Sequence, residues 1–178
     1  AIPEVVEQVS PLLKPGCIVT DVGSVKHPVG QWLAELPASV YAVGGHPMAG
    51  SERTGIKSAD RYLFENALYA LTPFREIPPH VMERLVTLLQ ETGARVKVLE
   101  AAAHDRSVAV ISHLPHVLAY ALLGLVEGSP ESVLMAAGSF RDLTRVAASS
   151  HQLWEDILLS NRSEVDAAIG GLIEKLES

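Results

Sequence analysis

The pattern of apolar residues changes character once, near Glu100, and that change limits the fold more than any other feature of the chain. Before it, short β-branched runs alternate with segments whose apolar residues recur every three or four positions. Val5, Val6, Val9, Leu12 and Leu13 share one helical face between Pro3 and Leu13, with Pro3 tolerated in the first turn. Lys14-Pro15-Gly16 breaks that helix, and Cys17 to Val22 reads as a buried strand. A helix from Ser24 or Val25 to about Leu36 and a strand over Val40 to Val43 follow, then a Gly-rich loop and a strand over Ala67 to Leu71. An amphipathic helix over Val81 to Thr92, stopped by Gly93, leads into a last strand over Ala94 to Leu99. Strands separated by helices predict a doubly wound, mostly parallel sheet covered on both faces. After Glu100 no strand-like run remains. Ala-, Leu- and Val-rich segments over about Ala101 to Val126, Pro130 to Ala137 and His151 onward read as helices. The first of these is apolar on more than one face, which places it in a bundle or a subunit interface. The expected architecture is α/β over 1–99, then all-α over 100–178.

Composition excludes several classes. With 21 acidic against 14 basic residues and a net charge of -7, the chain is not a general nucleic-acid binder, which needs clustered cations. A few well-placed arginines can still make a cationic pocket. Cys17 is the sole cysteine, so no intrachain disulfide forms, and it reads as a buried, inert thiol. No secretory signal pattern opens the chain, and no uninterrupted apolar run reaches the ~20 residues of a membrane span. A cytoplasmic protein without membrane partners is therefore expected. The chain opens on a helix, and no Gly-x-Gly-x-x-Gly lies between a strand and a helix. Either the fold binds no dinucleotide, or the half that does so lies upstream of Ala1.

Five stretches carry residues suited to chemistry. Asp21-Val22-Gly23-Ser24-Val25-Lys26 lies where a strand ends and a helix begins, the place where open α/β sheets bind ligands. Ser24 there is equally suited to a helix N-cap. Gly44-Gly45-His46-Pro47-Met48-Ala49-Gly50-Ser51-Glu52 lacks the lysine of a phosphate-binding loop, which leaves His46 in a tight loop as a proton acceptor or as a bland surface histidine. Its two glycines would admit a ligand close to the backbone. His104-Asp105 and His113-Leu114-Pro115-His116 have the residue types of a metal site, but no further ligands fall in register and no metal is expected. Pro115 would bend or interrupt its helix and re-aim His116. Arg141 and Arg145 stand four residues apart on one helical face, either as a solvated pair beside Asp142 or as a pocket for carboxylates. Trp154 reads as core.

Taken in order, these stretches resemble the prephenate/arogenate dehydrogenase family. The likeness runs through Thr20 to Lys26, Gly44 to Glu52, Leu63-Phe64-Glu65-Asn66-Ala67, Leu71-Thr72-Pro73, His104-Asp105, Ile111 to His116 and Gly138 to Arg145. The resemblance implies a Rossmann-like nucleotide-binding domain, of which 1–99 is the C-terminal part, and a helical dimerisation and substrate domain over 100–178 that makes a homodimer. It implies NAD or NADP as cofactor, and oxidative decarboxylation of prephenate or arogenate to 4-hydroxyphenylpyruvate or tyrosine. Under it, His46 accepts the hydroxyl proton and Ser24 is its hydrogen-bonding neighbour. Gly23, Ser24 and Lys26 form the cofactor loop, Arg145 holds a substrate carboxylate, and His116, Glu52, Arg141 and His113 line the pocket. The glycine-rich phosphate loop would lie before Ala1, in an absent segment on the order of 80 residues, so the chain alone is expected to be inactive. Where many relatives have consecutive glycines, this chain has Ala137-Gly138-Ser139. The alternative is a catalytically inactive helical dimerisation or ligand-sensing fragment.

Overall fold

The computed structural model describes residues 2–50 and 55–178, which divide into two compact units between Asp105 and Arg106.

The first unit is built on four strands: β1 (Ile18–Thr20), β2 (Tyr41–Pro47), β3 (Leu68–Pro73) and β4 (Arg95–Val98), adjacent in that order. β1 pairs with β2 and β3 with β4 in parallel, while β2 and β3 run antiparallel with His46 opposite Ala70. Two of the three ladders are thus parallel. The exception has a simple cause: between β2 and β3 the described residues hold only a short 3-10 turn, Ile56–Ser58, and no crossover helix to bring the chain back to the same end. Side chains alternate across the sheet. Val19 and Ala42 face α1 (Ile2–Val9) and α2 (His27–Ala34), packing on Val6, Val29 and Leu33. Ile18, Val43 and Leu71 face α3 (Pro79–Gln90), packing on Leu85 and Leu89. This is the α/β arrangement that the alternating pattern predicts, with both faces covered.

β2 runs four residues past its expected end at Val43, so Gly44, Gly45 and His46 belong to a strand and not to a loop. Glycine weakens a strand by propensity, which is why the pattern suggested a loop. Here the missing side chains are what the packing requires. A Cβ on Gly44 would lie 2.4 Å from Thr72 Oγ1 and 2.8 Å from the Phe74 ring, and one on Gly45 would lie 2.4 Å from the Asp21 carbonyl oxygen. The space that sequence reasoning reserved for a ligand is filled by the protein itself.

α2 is fastened at both ends by distant side chains. The carboxylate of Asp105 accepts the backbone N–H groups of Lys26 and His27 at 2.8 and 2.7 Å. The guanidinium of Arg75 donates to carbonyls at the other end, including Leu33 at 3.1 Å. An anion at the N-terminus and a cation at the C-terminus both oppose the helix dipole favourably.

The second unit is helical, with no strand among its described residues. α4 (Ala101–Val108) leads into a π-helical turn (Ala109–His113) and α5 (Leu114–Val126); α6 (Pro130–Leu134), α7 (Gly138–Thr144), a 3-10 turn (Arg145–Ala148), α8 (His151–Ser160) and α9 (Arg162–Glu177) follow. Pro115 does interrupt regular α-helix, but as a widened turn just before it and not as a break, because a π turn absorbs the lost hydrogen bond. By length and composition the helix over Ala101–Val126 could cross a membrane. Four buried polar residues, His104, Asp105, His113 and His116, lie along it, which fits a core helix better than a lipid-facing one.

Candidate active site

After β1 the chain turns through Asp21 to Lys26, and this loop is tied to β2. Asp21 accepts the Gly45 N–H at 2.8 Å through Oδ1 and the Gly23 N–H at 2.7 Å through Oδ2. Lys26 Nζ donates to Asp21 Oδ2 at 2.5 Å and to the Gly45 carbonyl at 2.6 Å. The Lys26 side chain is fully buried. Burial lowers its pKa, against the opposing pull of Asp21 and Asp105, and only such pairing makes a buried ammonium tolerable. Sequence reasoning put Lys26 against the cofactor; its ammonium is instead committed to holding loop and strand together. Gly23 is needed small, since a Cβ there would meet Asp21 Oδ2 at 2.9 Å and Ile2 Cδ1 at 3.0 Å. Ser24 is half-buried and is not the helix cap: α2 starts at His27 with Lys26 at the cap position, and Asp105 satisfies the backbone donors there.

The next residue along β2 is His46. Its Nδ1 lies 2.8 Å from Nε2 of His104, and the two rings meet nearly edge to face at 5.0 Å. His104 Nδ1 in turn lies 2.7 Å from Asp105 Oδ1, and both of these residues are 2% exposed. Burial alone would raise the Asp105 pKa, but hydrogen bonds from His104 and from the Lys26 and His27 backbone outweigh it and hold it below the usual value. Asp105 is therefore a carboxylate at neutral pH. The pair weighed from sequence as metal ligands is engaged with His46 and α2. Among the described residues no group of three or more His, Cys, Asp or Glu is placed to hold a metal.

The helical unit contains the other candidates. His116 is buried and stacks on Trp154, with ring centroids 3.2 Å apart and planes 18° from parallel. Burial lowers its pKa to about 4. Its Nδ1 and the hydroxyl of Tyr120 are buried without a hydrogen-bond partner among the described residues, a condition costing about 1–3 kcal/mol per group unless something else satisfies it. His113, 1% exposed, is bonded to Asn161 at 3.1 Å and meets Trp154 edge-on. Arg141 is exposed on α7, and Arg145 is exposed where α7 passes into the 3-10 turn. Neither pairs with a carboxylate among the described residues, Asp142 included. Glu52, also expected in the pocket, lies outside the described residues.

Two things escaped sequence reasoning. Asp21 is the hub of the loop, and its only signal was an acidic residue closing an apolar strand. His104 and Asp105 meet His46 and Lys26 across 58 and 79 positions, and no spacing rule could join them.

Both parts of the chain match models of one protein family. Residues 1–98 match the family model of the prephenate dehydrogenase nucleotide-binding domain, and residues 100–178 match that of the prephenate dehydrogenase dimerization domain. A prephenate dehydrogenase of Bacillus subtilis (strain 168) is 42% identical over 153 residues, covering 83% of this chain and 41% of that protein. A cyclohexadienyl dehydrogenase of Zymomonas mobilis is 39% identical over 157 residues, covering 85% of this chain and 54% of that protein. The chain thus spans about half the length of these relatives. The crystal structure of prephenate dehydrogenase from Aquifex aeolicus in complex with hydroxyphenyl propionate and NAD+ superposes with a TM-score of 0.90 at 32% identity, over 99% of this chain and 63% of that one. The Synechocystis arogenate dehydrogenase structure gives 0.81 at 30% identity, over 98% and 64%.

Proposed function

We propose, from the premise that this chain belongs to the prephenate dehydrogenase family, that it takes part in the oxidative decarboxylation of prephenate or arogenate with hydride transfer to NAD+ or NADP+. The observation that supports this reading is the fastening of the loop after β1, which bears Ser24, to Gly45, the residue before His46. A hydride leaves the ring carbinol carbon only as electron density builds on its oxygen, so a base beside that hydroxyl lowers the barrier. His46 would take the hydroxyl proton and Ser24 would hold its hydrogen bond at the same place. The bond to the ring carboxylate then breaks and carbon dioxide leaves; the electron pair of that bond passes through the ring onto the former carbinol oxygen, which takes back the proton from His46, so that an aromatic phenol forms. Aromatisation supplies the driving force.

The residues here suit the nicotinamide end of the cofactor. Val22, 64% exposed after the carboxyl end of β1, gives an apolar surface in the same loop as Ser24, and a flat, amide-bearing ring needs both an apolar surface and a polar group. When bound, the cofactor accepts the hydride. Gly23 and Ser24 would line its ring, with Lys26 acting from behind by holding the loop.

In the helical domain, Arg145 would clamp a substrate carboxylate with Arg141 in support; Glu52, which belongs to 1–99, would be a further pocket residue. Among the described residues neither arginine has a carboxylate partner, which favours an anionic ligand. His116, whose buried Nδ1 has no partner among the described residues, would form part of the pocket wall, and His113 would brace that wall through Asn161. The hydroxyphenyl propionate bound by the Aquifex aeolicus enzyme is a phenol bearing a carboxylate, which is the chemistry of the product expected here. A homodimer through the helical domain belongs to the same reading. Leu134, Met135 and Leu125 are 86%, 79% and 79% exposed, more apolar surface than an isolated helical unit normally leaves in water. The division of labour between 1–99 and 100–178 and a cytoplasmic location complete the proposal.

The test is turnover by the complete enzyme with prephenate and arogenate, each with NAD+ and NADP+, alongside His46→Asn. The mutant is expected to lose about a thousandfold in kcat. Undiminished turnover in His46→Asn, or none in the parent despite a folded dimer, would overturn the reading.

A further inference from the structure

We propose that His104 and Asp105 are positioning residues that fix the tautomer of His46, keeping its Nε2 as the ring nitrogen with the lone pair. This deepens the reading of His46 as the proton acceptor and rests on it.

The argument is one of hydrogen counting along a chain of three groups. The Asp105 carboxylate can only accept, so the 2.7 Å contact to His104 Nδ1 requires the proton on that nitrogen. A neutral His104 then has a bare Nε2. The 2.8 Å contact from that Nε2 to His46 Nδ1 needs one proton between them, and only His46 can supply it. With Nδ1 protonated, the lone pair of neutral His46 resides on Nε2, the nitrogen at the far side of the ring. The opposite tautomer would present an N–H to the reacting hydroxyl and could not take its proton. When Nε2 does take that proton, the positive charge on His46 is stabilised through His104 by a carboxylate. The logic is that of a serine protease triad with one more ring in the chain.

Asp105 can set the chain's direction because it cannot rotate away. Its two oxygens also accept the Lys26 and His27 N–H groups at 2.8 and 2.7 Å, and it is 2% exposed. The same carboxylate therefore fixes the start of α2, directly after the loop that carries Ser24. One residue sets both the proton acceptor and the loop beside it.

The experiment uses the complete enzyme labelled with nitrogen-15 histidine. Ring resonances of His46 are assigned by comparison with His46→Asn. Neutral His46 in the parent protein is expected to carry its proton on Nδ1. His104→Ala is expected to lower kcat about a hundredfold, with KM changed by no more than about threefold, and to shift the His46 ring toward the Nε2–H tautomer. His104→Gln, whose amide oxygen can accept from His46 Nδ1, should recover roughly tenfold of that loss. A general structural defect would not give such a rescue or such a kcat and KM split. A proton found on Nε2 of His46 in the parent enzyme would sink the proposal. So would a His104→Ala kcat within about threefold of the parent. If His104→Ala does not fold, the parent spectrum decides alone. An active His46→Asn overturns the proposed function itself. An inactive His46→Asn beside a fully active His104→Ala overturns only the positioning role.

Discussion

The candidate residues of the two units are satisfied to different degrees. In the α/β unit the polar groups around His46 are bonded to one another: His46 to His104, His104 to Asp105, Asp105 to the start of α2, and Lys26 to Asp21 and Gly45, with the Thr72 hydroxyl the buried group left without a partner among the described residues. In the helical unit, His116 Nδ1 and the Tyr120 hydroxyl are buried with nothing to bond among the described residues, and Leu134, Met135 and Leu125 stand in water. The first arrangement is organised before any ligand arrives. The second is complete only when something fills it. Preorganisation suits the proton transfer proposed for His46, where a small error in geometry is costly. Unmet hydrogen-bonding capacity suits recognition, where the ligand supplies the missing partner.

If this contrast is right, damage to the two units should differ in kind. Lys26→Met should act mainly on folding, because it leaves Asp21 buried without its cation. A loss of about 3 kcal/mol is expected in denaturant unfolding, with the remaining folded protein still turning over. Retained stability would mean that the Lys26–Asp21 pair contributes nothing beyond an apolar filling. Arg145→Ala should do the reverse. It should leave the unfolding midpoint unchanged while raising KM for substrate about ten- to a hundredfold, and a changed midpoint with unaltered KM would reassign Arg145 to structure.

The smallest effect concerns His116. Its folded pKa of about 4 lies below the ordinary value of 6.5, so the unfolded chain binds the extra proton first. The stability it contributes is full above 6.5 and is lost as pH falls toward 4. His116→Phe keeps a ring against Trp154 and removes the titration, so its melting temperature should fall less steeply than the parent's across that window. Equal slopes would show that His116 does not titrate as its burial requires.

Much of this was legible in the sequence because it is local. Period-two and period-three-to-four patterns mark every strand and helix of the sheet unit, and the loop motifs around Ser24 and His46 point to the site. What stayed hidden depends on the approach of distant segments. Gly44 and Gly45 read as a loop because their value in the strand comes from Thr72, Phe74 and Asp21 pressing on them. Ser24 read as a helix cap because the group that satisfies the helix, Asp105, comes 79 positions after Lys26. Pro115 read as a bend or an interruption, and the form it takes, a π turn over Ala109–His113, depends on the whole helix being held. The antiparallel pairing of β2 with β3 reflects a missing crossover helix, not anything in either strand.

The clamping of α2 also has a consequence in time. Eight residues make a helix too short to persist alone in water, and both of its end groups, Arg75 and Asp105, are synthesised well after it. At about 5–20 residues per second, Asp105 follows His27 by on the order of ten seconds. During that interval the nascent chain can collapse its apolar residues but cannot close this helix. The sheet unit should therefore acquire protease resistance on the ribosome only once the first turn of α4 has emerged from the exit tunnel, and stalled chains that end short of Asp105 should remain open to cleavage around Lys26.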